Sequence, residues 1–393
     1  MTQKKHSRRV FIRQISMSLT ALSFPLTTLA KYGGLDTTIY NYEEALKRPL
    51  EVKKLAFSFN NSNHPYTKAL PDGRIQALVN LEELFIDGYG GKYIKLPDEL
   101  SKLKKLKRLT IYGENLVQIP NVVWSLQSLT DLTLEINSLK EEDLKLSSLP
   151  QLGDFGVKIH KTEKLPGGIF ENSKLKRLFI QSDDAKVIPD QFNKLPDLTS
   201  LTLHCQNLIV IPGSIGSLKR LAIFDIYNKT VKSLDIDCGQ LDSLRDFRWG
   251  HSLNFPNSLT AAKNLHRLNL DVSFFETINT DTLPFKNLEI LDLSFSKLKT
   301  IPPYFSTLHS LKSIYLTNNN FASIEFDFSQ LTNLTELSFG DCENFQKIDM
   351  NKFITSLKTI TKLERLKTPS LSKEQSIIKD GYHYNFDWWE QRY

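Results

Sequence analysis

A chain of 393 residues would ordinarily divide into two or three domains. Its formal charge of +6 is carried by the N-terminus. Lys4, Lys5, Arg8, Arg9 and Arg13 lie in a 30-residue opening without Asp or Glu, and subtracting these five leaves a body near +1. That balance argues against a general electrostatic hold on nucleic acid, and three cysteines are too few for a disulfide framework.

Residues 1–30 read as a targeting segment. A basic start leads into Ile15–Ala30, rich in Leu, Ser and Thr and interrupted by Pro25. This is shorter than the roughly 20 apolar residues of a membrane span, so no integral membrane segment is expected in the mature chain. The small residues at its end predict cleavage after Ala30. Ser7-Arg8-Arg9-Val10-Phe11-Ile12-Arg13 resembles the bacterial twin-arginine export motif, with Arg8, Arg9 and Phe11 at matching positions and conservative departures at the last two. The resemblance implies export of an already folded protein to the periplasm or cell surface. The competing reading is a cytoplasmic protein with a chance Arg pair.

Residues 31–51 are expected to form an N-terminal cap, with a helical turn or two in Tyr40–Arg48. Val52, Leu55 and Phe57 carry a first strand, and Asn60–Arg74 separates it from the next. Thereafter the leading leucine of an L-x-x-L-x-L frame stands at Leu81, Leu106, Leu129, Leu152, Leu175, Leu198, Leu221, Leu244, Leu265, Leu288, Leu311 and Leu334. The steps are 23 residues, except for 25 at the first and 21 after Leu244. With the unit at Val52 this gives about 13 repeats over residues 52–356. A fixed period of this length marks a solenoid, in which each unit buries its apolar face only against its neighbours.

Within each repeat the core alternates apolar and polar, the period of a strand. Successive strands run the same way and predict a parallel sheet. Pro120, Pro166, Pro189, Pro212 and Pro302 recur at one frame position, where they end strand pairing and begin a turn or short helical stretch. Roughly seven inward apolar side chains per repeat, at ~1.5–3 kcal/mol each, hold the stack without disulfide or metal. Residues 357–393 are expected to form a C-terminal cap, with Ser372–Lys379 helical and Tyr382, Tyr384, Phe386, Trp388 and Trp389 packed into it.

This pattern resembles the leucine-rich repeat family over about residues 52–366. L-x-x-L-x-L-x-x-N-x-L stands complete as Leu129, Leu132, Leu134, Asn137 and Leu139, and the I-P segments are similar to those of Ras-binding and Scribble-type scaffolds. The resemblance implies an α/β solenoid, a horseshoe or arc with a parallel β-sheet on its concave face and turns or short helices on the convex one. It also implies a protein or peptide partner on the concave face. The chain departs from the pattern where Asn is usual, with Glu114, His160, Asp183, Gln206 and Lys229 at that place, so only a partial side-chain ladder is expected. Cys342 falls at the Asn position, while Cys205 and Cys238 fall on different sides of the coil.

Polar positions of the strands point away from the leucine core. One column runs Phe85, Thr110, Thr133, Gly156, Phe179, Thr202, Asp225, Arg248, Asn269, Asp292, Tyr315, and its neighbour includes Asp87, Tyr112, Glu135, Lys158, Gln181, His204 and Tyr227. Aromatic residues and Arg supply most binding hot spots. Phe179, His204, Tyr227 and Arg248 are therefore the expected contacts, with Tyr112 and Tyr315 as outer anchors. A third column alternates in sign (Glu83, Arg108, Asp131; Asp154, Arg177; Asp246, Arg267) and reads as cross-strand ion pairs, as does Asp225 beside Arg248.

Signals for chemistry are thin. Ser200, His204 and Asp225 supply the residue types of a hydrolytic triad but lie on an open sheet with no nucleophile turn. Gly88-Tyr89-Gly90-Gly91 lacks the Lys-Ser/Thr of a phosphate loop and reads as a turn. His204-Cys205 has no companion ligands at zinc spacing. No catalytic residue, metal or cofactor is expected. The shortened repeat around Phe247–Asn257 puts Trp249 at an inward leucine position. The sequence thus reads as an exported, non-catalytic repeat protein that binds a protein or peptide. The alternative is a cytoplasmic scaffold or signalling regulator.

Overall fold

A computed structural model describes residues 38–39, 41–58, 71–88, 94–113, 116–232, 234–252, 257–272, 285–342, 344–368, 378–379 and 382–383. The export motif Arg8, Arg9 and Phe11, the Ala30 cleavage point, Glu114, residues 89–91, residues 372–377 and the aromatics Tyr384, Phe386, Trp388 and Trp389 lie outside them. The chain divides into two compact units, Met1–Ser182 and Asp183–Tyr393.

In the first unit each repeat contributes one strand: β2 (Lys54–Ser58), β3 (Glu83–Asp87), β4 (Arg108–Tyr112), β5 (Asp131–Ile136), β6 (Asp154–Ile159) and β7 (Arg177–Ser182), preceded by a short β1 (Thr38–Ile39). Neighbours pair in parallel, and the register advances by one repeat at each step: Leu84 faces Leu109, then Leu132, Phe155 and Leu178. The second unit repeats the scheme with β8 (Ser200–Cys205), β9 (Ile223–Tyr227), β10 (Asp246–Ser252), β11 (Arg267–Val272), β12 (Ile290–Asp292), β13 (Ser313–Tyr315), β14 (Glu336–Ser338) and β15 (Arg365–Lys367). There Leu201, Phe224, Phe247, Leu268, Leu291, Ile314 and Leu337 lie side by side. These residues are buried, as the period-2 pattern requires. The fold is a leucine-rich repeat solenoid, with β1 and β15 adding a strand before and after the repeats read from sequence.

The return path is set by proline. Pro120, Pro212 and Pro302 have φ of −58°, −58° and −60° and stand immediately before one-turn 3-10 helices at Asn121–Ser125, Gly213–Ser217 and Pro303–Thr307. A residue with fixed φ and no N–H cannot extend the strand ladder, and it is preorganised to start a helical turn. Each turn then drops an apolar side chain (Val123, Ile215, Phe305) into the core.

The repeats close in two different ways. In those led by Leu288, Leu311 and Leu334, the seventh residue after the leading leucine has φ in the left-handed region: Phe295 65°, Asn318 56°, Asp341 54°. That residue breaks the strand alternation, and the eighth turns inward. Ser296 donates to Leu270 O at 2.9 Å, Asn319 to Leu293 O and Leu316 O at 2.9 and 2.8 Å, and the Cys342 thiol to Leu316 O at 3.3 Å. In the repeats led by Leu129 to Leu221 the strand alternation carries on, and the seventh residue itself is buried: Ile136, Ile159, Ser182, Cys205 and Asn228. The inward position is thus one residue earlier than the sequence frame suggests. Asn137, read as the completed motif, is half-buried. Asp183, Gln206 and Lys229 are not failed ladder residues but an outer row. The Gln206 amide donates to Asp183 at 2.5 Å, and Lys229 donates to Gln206 at 2.6 Å. Asn228 does what Lys229 was expected to leave undone. Its amide donates to Cys205 O at 2.6 Å and Leu208 O at 3.0 Å, and its oxygen accepts from Thr230 N and Val231 N at 2.8 and 2.6 Å.

The ends are closed by short elements. Helix α1 (Tyr42–Lys47) is capped by Asn41, whose side chain accepts from Glu44 N at 3.2 Å. It places Tyr42 on Phe57, with ring centroids 5.4 Å apart. Helix α2 (Met350–Leu357), capped by Asp349, packs Phe353 edge-on against Phe339 and Phe345. The helix expected over Ser372–Lys379 is not found at its end. Ile378–Lys379 (β16) pairs antiparallel with Tyr382–His383 (β17). Among the described residues no helix is long and apolar enough to cross a membrane.

Candidate functional site

The strand pairing reproduces the columns read from sequence, each within its own unit. Phe85, Thr110, Thr133, Gly156 and Phe179 are partners in turn across β3 to β7. Thr202, Asp225, Arg248, Asn269, Asp292 and Tyr315 are partners across β8 to β13. Columns at strand spacing, about 4.8 Å, bring side chains of successive repeats into contact.

In the second unit, His204 and Tyr227 are brought together with ring centroids 5.9 Å apart, and His204 Nε2 lies 3.5 Å from Asp225 Oδ1. Lys229 stands over the outer side of the Tyr227 ring at 6.0 Å. Arg248 does not pair with Asp225 as expected. Its guanidinium reaches back along its own strand to Asp246, with Nε–Oδ1 3.1 Å and a second contact of 2.8 Å, because residues two apart on a strand share a face. Asp246 is also 3.9 Å from Arg267, the cross-strand partner foreseen. Further along, burial raises the pKa of Asp292, opposed by hydrogen bonds from Ser294 and Asn269. Tyr315 donates to Glu336 at 2.8 Å, and burial followed by that bond pushes its phenol up to about 12.

In the first unit, Phe179 sits in its column beside Gly156 but is only 8% exposed, so it is not the protruding aromatic expected from sequence. His204 in the second unit is equally covered, at 8%. Tyr112, Tyr227, Arg248 and Tyr315 are the half-exposed members of the expected set. Tyr112 packs edge-on against Phe85 at 5.5 Å, and burial, then the charge of Glu135, pushes its phenol up to about 12.

Sequence reasoning missed the centre of this face. Glu135 is 1% exposed, and its Oε1 accepts from Lys158 Nζ at 2.5 Å and lies 2.8 Å from His160 Nε2. A buried carboxylate needs such partners. The signal was available as the adjacency Tyr112, Glu135, Lys158 in one column, with His160 two residues past Lys158. The foreseen ion pairs of the third column form as Glu83 with Arg108 at 3.3 Å and Asp154 with Arg177.

The triad residue types do not form a catalytic arrangement. Ser200 and His204 are four residues apart on β8, roughly 13 Å at strand rise, beyond hydroxyl–imidazole reach. The described residues contain no group of three or more His, Cys, Asp or Glu arranged to hold a metal. Cys205, Cys238 and Cys342 are buried thiols outside any disulfide.

Residues 263–321 and 286–343 match the family model described as leucine rich repeat. The chain is 28% identical over 202 residues to rat volume-regulated anion channel subunit LRRC8D, covering 48% of this chain and 23% of that protein. It is 32% identical over 151 residues to the mouse subunit LRRC8B, covering 36% and 18%. The chain thus spans less than a quarter of these relatives. Among solved structures, an internalin from Listeria monocytogenes superposes with a TM-score of 0.52 at 21% identity, over 77% of this chain and 86% of that one. A Leptospira interrogans leucine-rich repeat protein superposes with a TM-score of 0.46 at 21% identity, over 85% and 99%. The repeat match at residues 263–343 and the strand ladder of both units together identify the architecture as that of leucine-rich repeat proteins.

Proposed function

We propose that the protein is an exported, non-catalytic scaffold that binds a protein or peptide on the open strand face. The observation that carries this reading is the in-register grouping of half-exposed Tyr227 and Arg248 beside His204, on a rigid parallel ladder. Aromatic and Arg side chains fixed by a scaffold lose little conformational freedom on binding, and such residues dominate interface energetics. Tyr315 is a further half-exposed contact along the second unit, and Tyr112 is the half-exposed candidate of the first. The leucine-rich repeat fold supports a protein partner, with no cofactor involved. Export rests on the sequence of residues 7–30 alone, with Arg8, Arg9 and Phe11 as the motif and the periplasm or cell surface as the destination.

Affinity capture from the native host, comparing wild type with Tyr227→Ala/Arg248→Ala, tests the binding face. The expected result is a partner lost from the variant, with a thermal midpoint within about 2 °C of wild type. Equal capture by both proteins would move the site off this face. Arg8→Lys/Arg9→Lys, followed by cell fractionation, tests export. An unchanged distribution would restore the cytoplasmic scaffold reading.

A further inference from the structure

A second surface, independent of the open face, lies on the flank of the first unit where the strands begin. The segment Lys102-Leu103-Lys104-Lys105-Leu106-Lys107 points its leucines into the core and leaves its lysines exposed. Lys104, Lys105 and Lys107, together with Glu82, Ser128, Thr130 and Gln151, line an open recess of about 350 Å³.

The charges in this recess are not balanced locally. Lys104 donates to the Ser101 carbonyl at 2.9 Å and Lys105 to the Asn80 side-chain oxygen at 2.7 Å, both neutral acceptors. Lys107 lies 3.9 Å from Glu82, and that carboxylate is shared with Lys53 at 3.8 Å. Among the described residues the recess is therefore lined by three ammonium groups and one carboxylate, and that carboxylate is shared with Lys53. The repeat frame does not impose this excess. At the corresponding flank of the second unit Lys312 pairs with Glu289 at 2.8 Å, and Arg220 pairs with Asp197 at 2.6 Å, one to one. In the first unit the next repeats supply Ser128, Thr130 and Gln151 to the lining instead, uncharged side chains that do not neutralise the lysines, with the Thr130 hydroxyl donating to Asp131 at 2.5 Å.

We propose that this recess binds a multivalent phosphate anion. A lysine ammonium is a hydrated point charge that binds phosphate without requiring one planar geometry. Several of them spaced along a ladder suit an anion whose charges are spaced likewise. The recess is open, so it suits a chain or a headgroup array better than an enclosed metabolite. Closely spaced phosphates of a soluble anion or of a lipid surface share this chemistry.

Calorimetry on the full chain with sodium tripolyphosphate at pH 7, in 50 and 200 mM salt, reads the site, and sedimentation with phosphatidylglycerol-containing vesicles reads the lipid source. Binding is expected to weaken with salt. It should fall at least tenfold in Lys104→Gln/Lys105→Gln/Lys107→Gln and survive in the matching Arg variant. Removing equal charge elsewhere, in Lys263→Gln/Lys286→Gln/Lys299→Gln, should leave it unchanged. Retention of the full-length chain by vesicles alone, lost in the same triple variant, would assign the site to headgroups. Absence of binding to both probes, or an equal loss in the control variant, would overturn the proposal.

Discussion

Replacing Asn228 with alanine separates the two repeat closures by measurement. The Asn228 side chain is fully buried and holds four backbone groups: it donates to Cys205 O and Leu208 O and accepts from Thr230 N and Val231 N. Alanine removes all four bonds and takes the acceptor from Thr230 N and Val231 N, while Leu208 O keeps the Thr230 hydroxyl and Cys205 O keeps Leu208 N. At a net ~0.5–1.5 kcal/mol for each bond, and more for a group left unsatisfied, the expected loss is about 3–5 kcal/mol. Asn137, which completes the sequence motif but is half-buried, should cost less than about 1 kcal/mol on the same replacement. Urea unfolding followed by circular dichroism on both variants compares them under one protocol. A loss at Asn137 equal to that at Asn228 would refute the one-residue shift in the middle repeats. A negligible loss at Asn228 would refute the ladder.

Phe295 holds φ 65° while 40% exposed, at the place where later repeats use Asn318 and Asp341. Phe295→Asn is therefore expected to stabilise by about 1 kcal/mol, read as a higher urea midpoint. Burial, then the neighbouring Asp131, pushes Asp154 up to about 6, against the pull of Arg177. Because its folded pKa lies above the unfolded value, the native state binds the extra proton. Stability should fall as pH rises from about 4 to about 6, by on the order of 1–2 kcal/mol, and Asp154→Asn should flatten that slope in pH-dependent melting. Burial pushes the Cys238 and Cys342 thiols up to about 11. All three cysteines should resist an aromatic disulfide reagent at pH 8 until the chain is unfolded.

The ladder was legible in the sequence because each link in the inference is a hard constraint. A leucine every 23 residues fixes the period, and alternation fixes the buried face. Where it occurs, proline fixes the start of the return turn, as at Pro120, Pro166, Pro212 and Pro302. Leu109, Leu132 and Phe155 stand side by side as their spacing requires. What spacing does not encode is the backbone conformation of the seventh residue. Phe295 in the left-handed region and Ile136 in a strand are both apolar, and nothing in the side chain alone says which will flip the chain. Asn318 and Asp341 do carry that signal, since short polar residues tolerate the left-handed region. That tolerance is not a rule, because Asn228 at the same seventh position stays in the strand alternation and turns its amide inward.

The candidate face was legible as a set of columns and illegible as a set of contacts, because register fixes which backbones are neighbours and not which rotamers meet. Asp225 and Arg248 are register partners, yet the guanidinium finds two oxygens of Asp246 on its own strand and His204 takes the place beside Asp225. A bidentate contact to one carboxylate holds a planar guanidinium better than a single contact to its neighbour. Likewise Phe179 follows Gly156 in its column and Glu135 follows Thr133 along its strand, and polarity alone suggests that the phenylalanine is the contact and the glutamate is solvated. Instead both are buried, Glu135 because Lys158 and His160 converge on it from the next repeat. A charged residue in a strand column is therefore best read together with the residues one repeat later, at the same position and two beyond. That rule would have found the Glu135 centre from sequence.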